Sequence, residues 1–411
     1  MRILWVKTEL LHPVDKGGKI RTYQMLRSLS RKHTVSYLCL DDGDRAPDAE
    51  AKAMEYCSEV EAVPFSPPGK GTVAFFGALL LNLFSRLPYA VARYRSKALA
   101  RRVAVRSATS DLVICDFLAP ALNVATGGCP AVLFQHNVEA IIWERHASVP
   151  QNSLRRFYMS LQASRMKRFE ASECRRFDHV VAVSEADATE MATRYGATRV
   201  SFVGTGVDTE FFMRSAPIDL QARSMQAHEM VFVGSMDWMP NEEGIRWFVA
   251  EVFGRVRSNV PDAMLTIVGR SPSRQLEELA ERTKGVRVVG TVPDVRPYLE
   301  RAAMSIVPLR IGGGTRIKIY ESMSMGTPVV STTIGAEGLP VIPGVHLEIA
   351  DTPEAMASAI TDLFTDHRRA STLAVNAERF VRANCSWDAV TDDFISQCLP
   401  GRRDRFLEAI P

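Results

Sequence analysis

The chain has few of the features that mark secreted proteins. Its seven cysteines are spread through 411 residues, and they form neither a CxxC pair nor a spacing typical of metal ligands. We therefore expect reduced thiols, with no disulfide framework and no structural zinc. We expect no signal peptide at the start, MRILWVKTEL, because Lys7 and Glu9 interrupt the apolar run before an h-region could form. We expect a buried first strand there.

Long hydrophobic runs and an excess of one charge are also missing. The most apolar stretch, VAFFGALLLNLF at residues 73–84, has about a dozen residues, whereas a membrane-spanning helix needs ~20. It predicts either a core helix or a helix on a membrane surface. The net charge of +3 is too small to indicate nucleic acid as a general partner.

What is present is the pattern of two α/β domains. A chain of 411 residues exceeds the size at which one hydrophobic core keeps growing. A strand at residues 3–6, a loop with Gly17 and Gly18, a helix and a strand at 35–40 form the opening of a doubly wound domain. Two glycines alone equally fit a plain tight turn. Strands alternating with helices restart at residue 230, after a polar stretch at 215–228.

These patterns predict three segments. We expect an N-terminal Rossmann-like domain at residues 1–215, a C-terminal Rossmann-like domain at 216–390 and a helical tail at 391–411. Two such domains joined by a linker would leave a cleft between them, and the tail would pack back on the N-terminal domain.

The most informative stretch is VPLRIGGGTRIKIYESMSMGTPVVST, at residues 307–332. It predicts a strand, a glycine loop, a helix capped by Thr315, and a second strand. Backbone amides without Cβ atoms and the positive end of a helix dipole form an anion site together. Arg316 and Lys318 lie in the first turn, where the dipole disfavours cations, which indicates a bound anion. The amides would come from Gly312, Gly313 and Gly314.

At helical spacing Thr315, Lys318, Glu321 and Ser322 share one face. A hydroxyl, a cation and a carboxylate along one stripe would suit a phosphate followed by a pair of sugar hydroxyls. A solvated face with a Lys318–Glu321 pair fits the spacing equally well.

Taken in order, the motifs along the chain resemble those of a known family, glycosyltransferase family 4 or "group 1", which are retaining transferases of the GT-B fold. The variants of these motifs are most similar to the sugar transferases associated with PEP-CTERM/exosortase loci. The motifs are Gly17-Gly18 after the first strand, QHNVEAIIWER at 135–145, VSEADA at 183–188, GVDTEFF at 206–212, VFVGSMDWMPNEEGIRWF at 231–248, VGTVPDVRPYL at 289–299, PLRIGGGTRIKIYESMSMGTPVVST at 308–332 and GAEGL at 335–339.

The resemblance implies a GT-B fold, with two Rossmann-like domains facing each other across a cleft. The C-terminal domain would hold a nucleotide-sugar donor and the N-terminal domain an acceptor. The family's ribose-binding carboxylate falls on Glu321, and residues 312–315 would cradle the diphosphate. Gly17 and Gly18 would close on it, while Arg270 and the turn containing Val292 would lie by the nucleobase.

His136 heads the motif HNVE, and its position alone fits a histidine that hydrogen-bonds a loop carbonyl. The resemblance implies instead that His136 contacts the donor sugar, with Glu139 as a weaker candidate in the same neighbourhood. It also implies front-face transfer of a hexosyl group with retention. The resemblance implies neither a metal nor a cofactor.

Two departures from the family pattern concern charge. Gly313 occupies the position of a second carboxylate near the donor sugar, and Ser235 and Asn241 stand where many members carry an arginine and a lysine at the diphosphate. We expect Arg316 and Lys318 to supply the missing positive charge. The missing carboxylate leaves open a catalytically silent nucleotide-sugar-binding subunit, and a GT-B sugar-nucleotide epimerase is a further alternative.

The N-terminal half also carries basic segments beside apolar ones. One is VAFFGALLLNLFSRLPYAVARYRSKALARR at 73–102, and the other spans 154–177. A core helix followed by a solvated basic helix explains each of them as well as peripheral docking on anionic lipid does. The second explanation would place a cytoplasmic enzyme of exopolysaccharide or cell-surface glycan synthesis on the inner face of the membrane, beside a lipid-linked acceptor.

Overall fold

The computed structural model describes residues 1–14, 17–43, 45–69, 71–148, 153–215, 228–311 and 316–399. The chain forms two compact units. The N-terminal unit comprises Met1–Gly204 and the chain from Val390 onward, and the C-terminal unit comprises Thr205–Ala389. The division thus falls before residue 215. Most of the predicted linker, and the predicted tail beyond residue 399, lie outside the described residues.

The N-terminal unit is built on a parallel sheet of seven strands. The strand order is β3-β2-β1-β4-β5-β6-β7, and all pairs are parallel. Parallel strands are covered on both faces, which explains why most of them read as continuous apolar runs. The strands are β1 (Arg2–Lys7), β2 (Thr34–Asp41), β3 (Glu59–Pro64), β4 (Leu112–Asp116), β5 (Ala131–Gln135), β6 (His179–Ala182) and β7 (Val200–Phe202).

Helices connect these strands, as parallel pairing requires. The first helix after β1 begins at the two glycines. The helices are α1 (Gly17–Leu29), α2 (Ala49–Ala53), α3 (Val73–Asn82), α4 (Tyr89–Ala92), α5 (Lys97–Ser107), α6 (Glu139–Ser148), α7 (Ser153–Arg176) and α8 (Glu185–Thr193), with a 3-10 turn at Ala119–Asn123.

The C-terminal unit repeats this plan with six parallel strands in the order β10-β9-β8-β11-β12-β13. Its last strand has only two residues. The strands are β8 (Glu229–Val233), β9 (Met264–Val268), β10 (Val286–Gly290), β11 (Met304–Val307), β12 (Val329–Ser331) and β13 (Glu348–Ile349).

The helices of this unit cover its sheet. The first, α9 (Met239–Trp247), continues through a π-helical turn, Phe248–Phe253, into α10 (Gly254–Asn259). The others are α11 (Arg274–Arg282), α12 (Arg296–Arg301), α13 (Ile317–Ser324), α14 (Pro353–Thr365), α15 (His367–Asn384) and α16 (Trp387–Cys398), of which the last joins the N-terminal unit from Val390.

Each sheet has one point at which its strand order reverses, and this feature positions the sites. In the N-terminal unit it lies between β1 and β4, and in the C-terminal unit between β8 and β11. In open α/β sheets, ligands bind outside the carboxyl ends of strands at such points. The predicted doubly wound α/β class is confirmed for both units.

The apolar stretch at residues 73–84 forms α3, and its only buried residue is Asn82. The prediction of a core helix is therefore wrong for this segment. Among the described residues, no helix is both long and apolar enough to cross a bilayer.

Candidate functional site

In the C-terminal unit the candidate site lies where β8 ends and α13 begins. Nζ of Lys318 donates a hydrogen bond of 2.7 Å to Oδ1 of Asn241. Nδ2 of Asn241 in turn donates to the carbonyl oxygen of Ser235, at 2.7 Å. A lysine from α13 therefore places its ammonium beside the two positions at which the sequence departs from the family pattern.

Glycine makes this approach possible. A Cβ atom on Gly234 would lie 2.6 Å from Nζ of Lys318 and 2.9 Å from Nδ2 of Asn241. A Cβ atom on the neighbouring Gly269 would lie 1.7 Å from the carbonyl oxygen of Gly234. The missing side chain of Gly234 thus leaves room for the ammonium group, and that of Gly269 lets the chain after β9 pass close to Gly234.

Burial shifts the pKa values of Lys318 and Glu321, both on α13, in opposite directions. Burial lowers the pKa of Lys318 to about 7, although Glu321 works in the other direction. Burial likewise raises the pKa of Glu321 to about 7, against the attraction of Lys318. Nζ of Lys318 also lies 4.5 Å from the centre of the Phe232 ring, an apolar neighbour. An arriving anion would stabilise the charged form of Lys318, and hydroxyl donors would stabilise the charged form of Glu321.

Arg316 lies against the same loop. Its side chain is buried, and its guanidinium lies 5.4 Å from the centre of the Trp238 ring. Burial lowers the pKa of Arg316, and Glu337 opposes this shift. Both cations therefore face the place where β8 passes into α9. Arg316, just before α13, lies by Trp238 in the connection, and Lys318 contacts Asn241 in the first turn of α9.

Arg270 and Val292 lie near the carboxyl ends of β9 and β10. Arg270 forms an exposed ion pair of 3.3 Å with Asp237, in the loop that follows β8. Val292 packs against a small apolar cluster that includes Val231. The structure thus brings Arg270 to the β8–α9 loop. Gly312, Gly313, Gly314 and Thr315 lie outside the described residues, so their diphosphate cradle stays a prediction.

In the N-terminal unit, a buried carboxylate gathers several polar side chains. Asp116 ends β4, and its Oδ2 accepts hydrogen bonds of 2.7 Å from Nζ of Lys7 and 2.7 Å from Oγ1 of Thr22. Nε1 of Trp5 donates to the same oxygen at 3.0 Å. Burial alone would raise the pKa of Asp116, but Lys7 and His136 hold it well below its usual range.

His136 completes this cluster. Its Nε2 lies 2.8 Å from Oδ1 of Asp116, and its ring stacks on Phe117 at 3.9 Å between centroids. Burial lowers the pKa of His136 to about 4, although Asp116 opposes the shift. His136 is therefore neutral at pH 7. It faces a carboxylate rather than the loop carbonyl that its position alone indicated.

The ring of Phe117 lies between His136 and the first glycine loop. Phe117 has a φ of 73°, an unusual conformation for a residue with a side chain, and a Cβ on Gly18 would lie 2.8 Å from its ring. The start of α1 can therefore approach the Phe117 ring this closely only because residue 18 lacks a side chain.

Glu139 lies at the start of α6, and Glu170 from α7 holds that start in place. The carboxylate of Glu170 accepts hydrogen bonds of 2.9 Å from the amide of Glu139 and 2.8 Å from the amide of Ala140. It also accepts one of 3.1 Å from Nε2 of Gln135. A carboxylate at a helix N-terminus satisfies amides that lack partners within the helix. Burial raises the pKa of Glu139.

Sequence reasoning missed Lys7, Asp116 and Glu170. A signal for the first two existed, because each charged residue ends an otherwise apolar strand and β1 and β4 are neighbours. Glu170 had no such signal within its long helix.

Two family models match the chain. Residues 16–211 match the model described as Glycosyltransferase Family 4, and residues 227–366 match the model described as Glycosyl transferases group 1. The two models together cover most of both units.

Known proteins add to this. The chain is 28% identical over 163 residues to an uncharacterised 44.6 kDa protein in the cps region of Klebsiella pneumoniae, a match that covers 38% of this chain and 42% of that protein. It is also 27% identical over 122 residues to glutamate racemase of Brucella canis, covering 29% of this chain and 44% of the racemase. The chain thus spans less than half the length of these curated relatives.

A solved structure matches the whole chain. HepE of Anabaena, in complex with UDP and glucose, superposes with a TM-score of 0.60 at 15% identity, covering 99% of each chain. This likeness shows the fold.

Proposed function

The two halves of this chain are glycosyltransferase domains of family 4 and group 1 in a GT-B fold, and we propose that the protein transfers a sugar from a nucleoside diphosphate sugar to a glycan or lipid-linked acceptor with retention. One observation carries the proposal: the ammonium of Lys318 lies 2.7 Å from Asn241, with Glu321 one turn further along the same helix.

The donor would lie along α13. A diphosphate needs cations as well as amides when it is withdrawn from water. Lys318 and Arg316 supply two positive charges at the β8–α9 loop. Glu321 follows Lys318 at the spacing of one helical turn, where its carboxylate can accept hydrogen bonds from the ribose hydroxyls. The UDP and glucose held by HepE are consistent with such a donor.

Transfer would depend on stabilising the leaving diphosphate. Negative charge builds up on that group as the glycosidic bond breaks, and fixed cations stabilise it most where water is excluded. Lys318, whose pKa is lowered to about 7 in the free protein, would take up its proton when the donor binds and would then stabilise this charge as an ammonium. The acceptor oxygen would bond to the anomeric carbon on the face that the diphosphate leaves, while a phosphate oxygen of the leaving group takes the acceptor's proton, so that the configuration is retained.

His136 fits the role of a sugar-binding residue. Because it is neutral at pH 7 and its Nε2 faces Asp116, it retains Nδ1 for a hydroxyl of the donor sugar. The N-terminal unit would also hold the acceptor.

The cps-region relative supports a place in polysaccharide synthesis. We assign the protein to exopolysaccharide or cell-surface glycan assembly on the inner face of the cell membrane. The racemase match does not favour a second function, because two glycosyltransferase models cover most of the chain.

The test begins with purified protein and a panel of nucleotide sugars screened by thermal shift. The stabilising donor is then incubated with acceptors, and the released nucleotide and the product linkage are measured. We expect transfer or donor hydrolysis to fall at least 100-fold in Glu321→Ala, because the ribose loses its acceptor. Glu277→Ala, at an exposed position on α11, is the matched control and should keep full activity.

Three outcomes would contradict the proposal. Donor binding without transfer or hydrolysis would indicate a silent binding subunit. Conversion of the donor to an epimeric nucleotide sugar would indicate an epimerase. An inverted linkage would exclude retention.

A further inference from the structure

Helix α3 leaves most of its apolar side chains exposed, unlike an ordinary surface helix. Its one buried residue is the polar Asn82, whereas Val73 is 89% exposed and Leu81 is 74% exposed. Phe84, just beyond the helix, is 88% exposed, and Phe76 and Leu80 are exposed as well. A single exposed leucine needs no explanation, but a contiguous exposed apolar patch marks an interaction site.

The helix is apolar on its inner side too. Phe75, Ala78 and Leu79 are partly buried, and the ring of Phe75 packs edge-on against Tyr89 at 5.8 Å. The spacing of these residues and Asn82 is that of one helix face. A helix that is apolar all round is normally covered on every side, by protein or by lipid. In this chain only the inner side of α3 is covered by the described residues.

A buried polar network fixes this orientation. Nε2 of Gln162 donates to Oδ1 of Asn82 at 3.0 Å, and Arg165 donates to the carbonyl oxygens of Asn82 and Leu83 at 2.8 and 2.7 Å. Nδ2 of Asn82 donates to the carbonyl oxygen of Leu87 at 3.1 Å. Gln162 and Arg165 belong to α7 and are themselves buried. The end of α3 is therefore held in place, and its outer side chains cannot turn inward without breaking these bonds.

The charge around the patch indicates what covers it. From residue 62 to residue 110 the sequence contains no aspartate or glutamate, and Arg86 follows Phe84 by two residues. Anionic lipid headgroups attract basic residues placed beside an apolar face. The exposed basic residues of this region are Arg86, Arg95, Lys97, Arg101 and Arg102, of which Arg102 pairs with Glu61 of β3 at 3.1 Å.

We propose that the outer face of α3, together with Phe84, inserts into the interfacial layer of an anionic lipid bilayer, while the basic residues that follow it contact the headgroups. This rests on and deepens the proposed function, since it would bring the enzyme to a lipid-linked acceptor. Docking itself does not depend on the donor chemistry, so the two can fail separately.

The test is cosedimentation of the full chain with vesicles of phosphatidylcholine alone or with 30% phosphatidylglycerol. Binding should be at least 10-fold stronger to the anionic vesicles and should weaken with salt. Leu81→Ser and Phe84→Ser should each lower binding at least 5-fold, because they remove exposed apolar contacts. Ile342→Ser, at an exposed apolar position of the C-terminal unit, is the matched control and should bind as wild type.

The charge contribution has its own pair of variants. Arg86→Gln should lower binding to anionic vesicles, whereas Arg274→Gln, whose side chain is 90% exposed on α11, should not. Donor-induced thermal shifts should be unchanged in Leu81→Ser and Phe84→Ser, which separates failed docking from failed donor binding.

Insertion is measured directly with Phe84→Trp. Brominated lipid should quench the fluorescence of the new tryptophan. Equal binding to neutral and anionic vesicles would overturn the proposal. A protein that does not bind vesicles, but forms a dimer in sedimentation experiments, would also overturn it if Leu81→Ser dissociated that dimer. A second copy of the chain would then cover the patch.

Discussion

Lys318 carries most of the chemical argument at the scale of single residues. Its ammonium meets Asn241, at a position where the family resemblance implies a lysine, so a cation from α13 reaches the place that α9 leaves neutral. The sequence predicted that Arg316 and Lys318 would supply this charge. That role stays a prediction, but the geometry is consistent with it.

The paired pKa values of Lys318 and Glu321 predict how donor affinity changes with pH. Above pH 7 Lys318 loses its proton in the free protein, so binding a diphosphate requires proton uptake and affinity falls, by up to about tenfold per pH unit. Below pH 7 Glu321 becomes protonated and can no longer accept two ribose hydroxyls, so affinity falls again. Calorimetric titration between about pH 5.5 and 9 should give a maximum near pH 7.

Two variants separate the limbs of this profile. Lys318→Met should remove the alkaline limb and weaken binding throughout, whereas Glu321→Gln should remove the acid limb. A wild-type affinity that does not change over this range would show that neither group titrates on binding.

The elements explain why these residues meet. The β8–α9 loop receives Lys318, Arg316 and Arg270, because β8 lies next to both β9 and β11 in the sheet and all the strands point the same way. Parallel order therefore assembles the site at one edge. The closest approach is at Gly234, whose missing side chain leaves room for the ammonium.

Gly234→Ala tests whether the missing side chain at the end of β8 is needed to admit the Lys318 ammonium. The new Cβ would lie 2.6 Å from Nζ of Lys318, a flexible side-chain end that can move away. We expect donor affinity to fall at least 10-fold while the free energy of unfolding changes by less than about 2 kcal/mol. Thermal shift with donor and urea unfolding measure the two effects.

The matched control is Gly254→Ala. Gly254 lies in α10 with a φ of −60°, and among the described residues no atom outside its chain neighbours and its own helix backbone lies within 4 Å of the place that an alanine Cβ would occupy. Alanine should therefore raise stability by about 0.5–1 kcal/mol and leave donor affinity unchanged. Equal donor affinity in Gly234→Ala and wild type would show that Lys318 does not act from this position.

At the scale of the whole molecule, the last helix completes the first unit. Phe394 of α16 is fully buried, and its ring lies 5.0 Å from that of Phe134 and 6.1 Å from that of Trp5. Oγ of Ser28 and Oγ1 of Thr391 share a buried hydrogen bond of 2.7 Å. Residues from the first and the last parts of the chain therefore build one core.

Phe394→Ala should accordingly destabilise the N-terminal unit by about 3–5 kcal/mol, through lost burial and the cavity left behind. Urea unfolding followed by tryptophan fluorescence measures the loss. Val375→Ala, at an exposed position on α15, is the control and should cost far less. Donor-induced stabilisation should persist in both variants, because the residues proposed to bind the diphosphate and the ribose lie in the other unit. An unchanged unfolding midpoint in Phe394→Ala would contradict the role of α16.

The sequence alone determined what depends on short spacing. Apolar strands alternating with helices predicted two doubly wound units, because such periodicity is read within about ten residues. The spacing of Lys318 and Glu321 on one turn of α13 was equally local.

Only the tertiary structure decided what depends on distant residues. The pair between Lys7 and Asp116 joins positions 109 residues apart, and no local pattern specifies it. Whether α3 is covered or exposed is likewise set by its neighbours: Gln162 and Arg165 bind Asn82 from 80 and 83 residues away and hold the apolar side outward. Periodicity gives a helix its faces, but packing against the rest of the chain decides which face is buried.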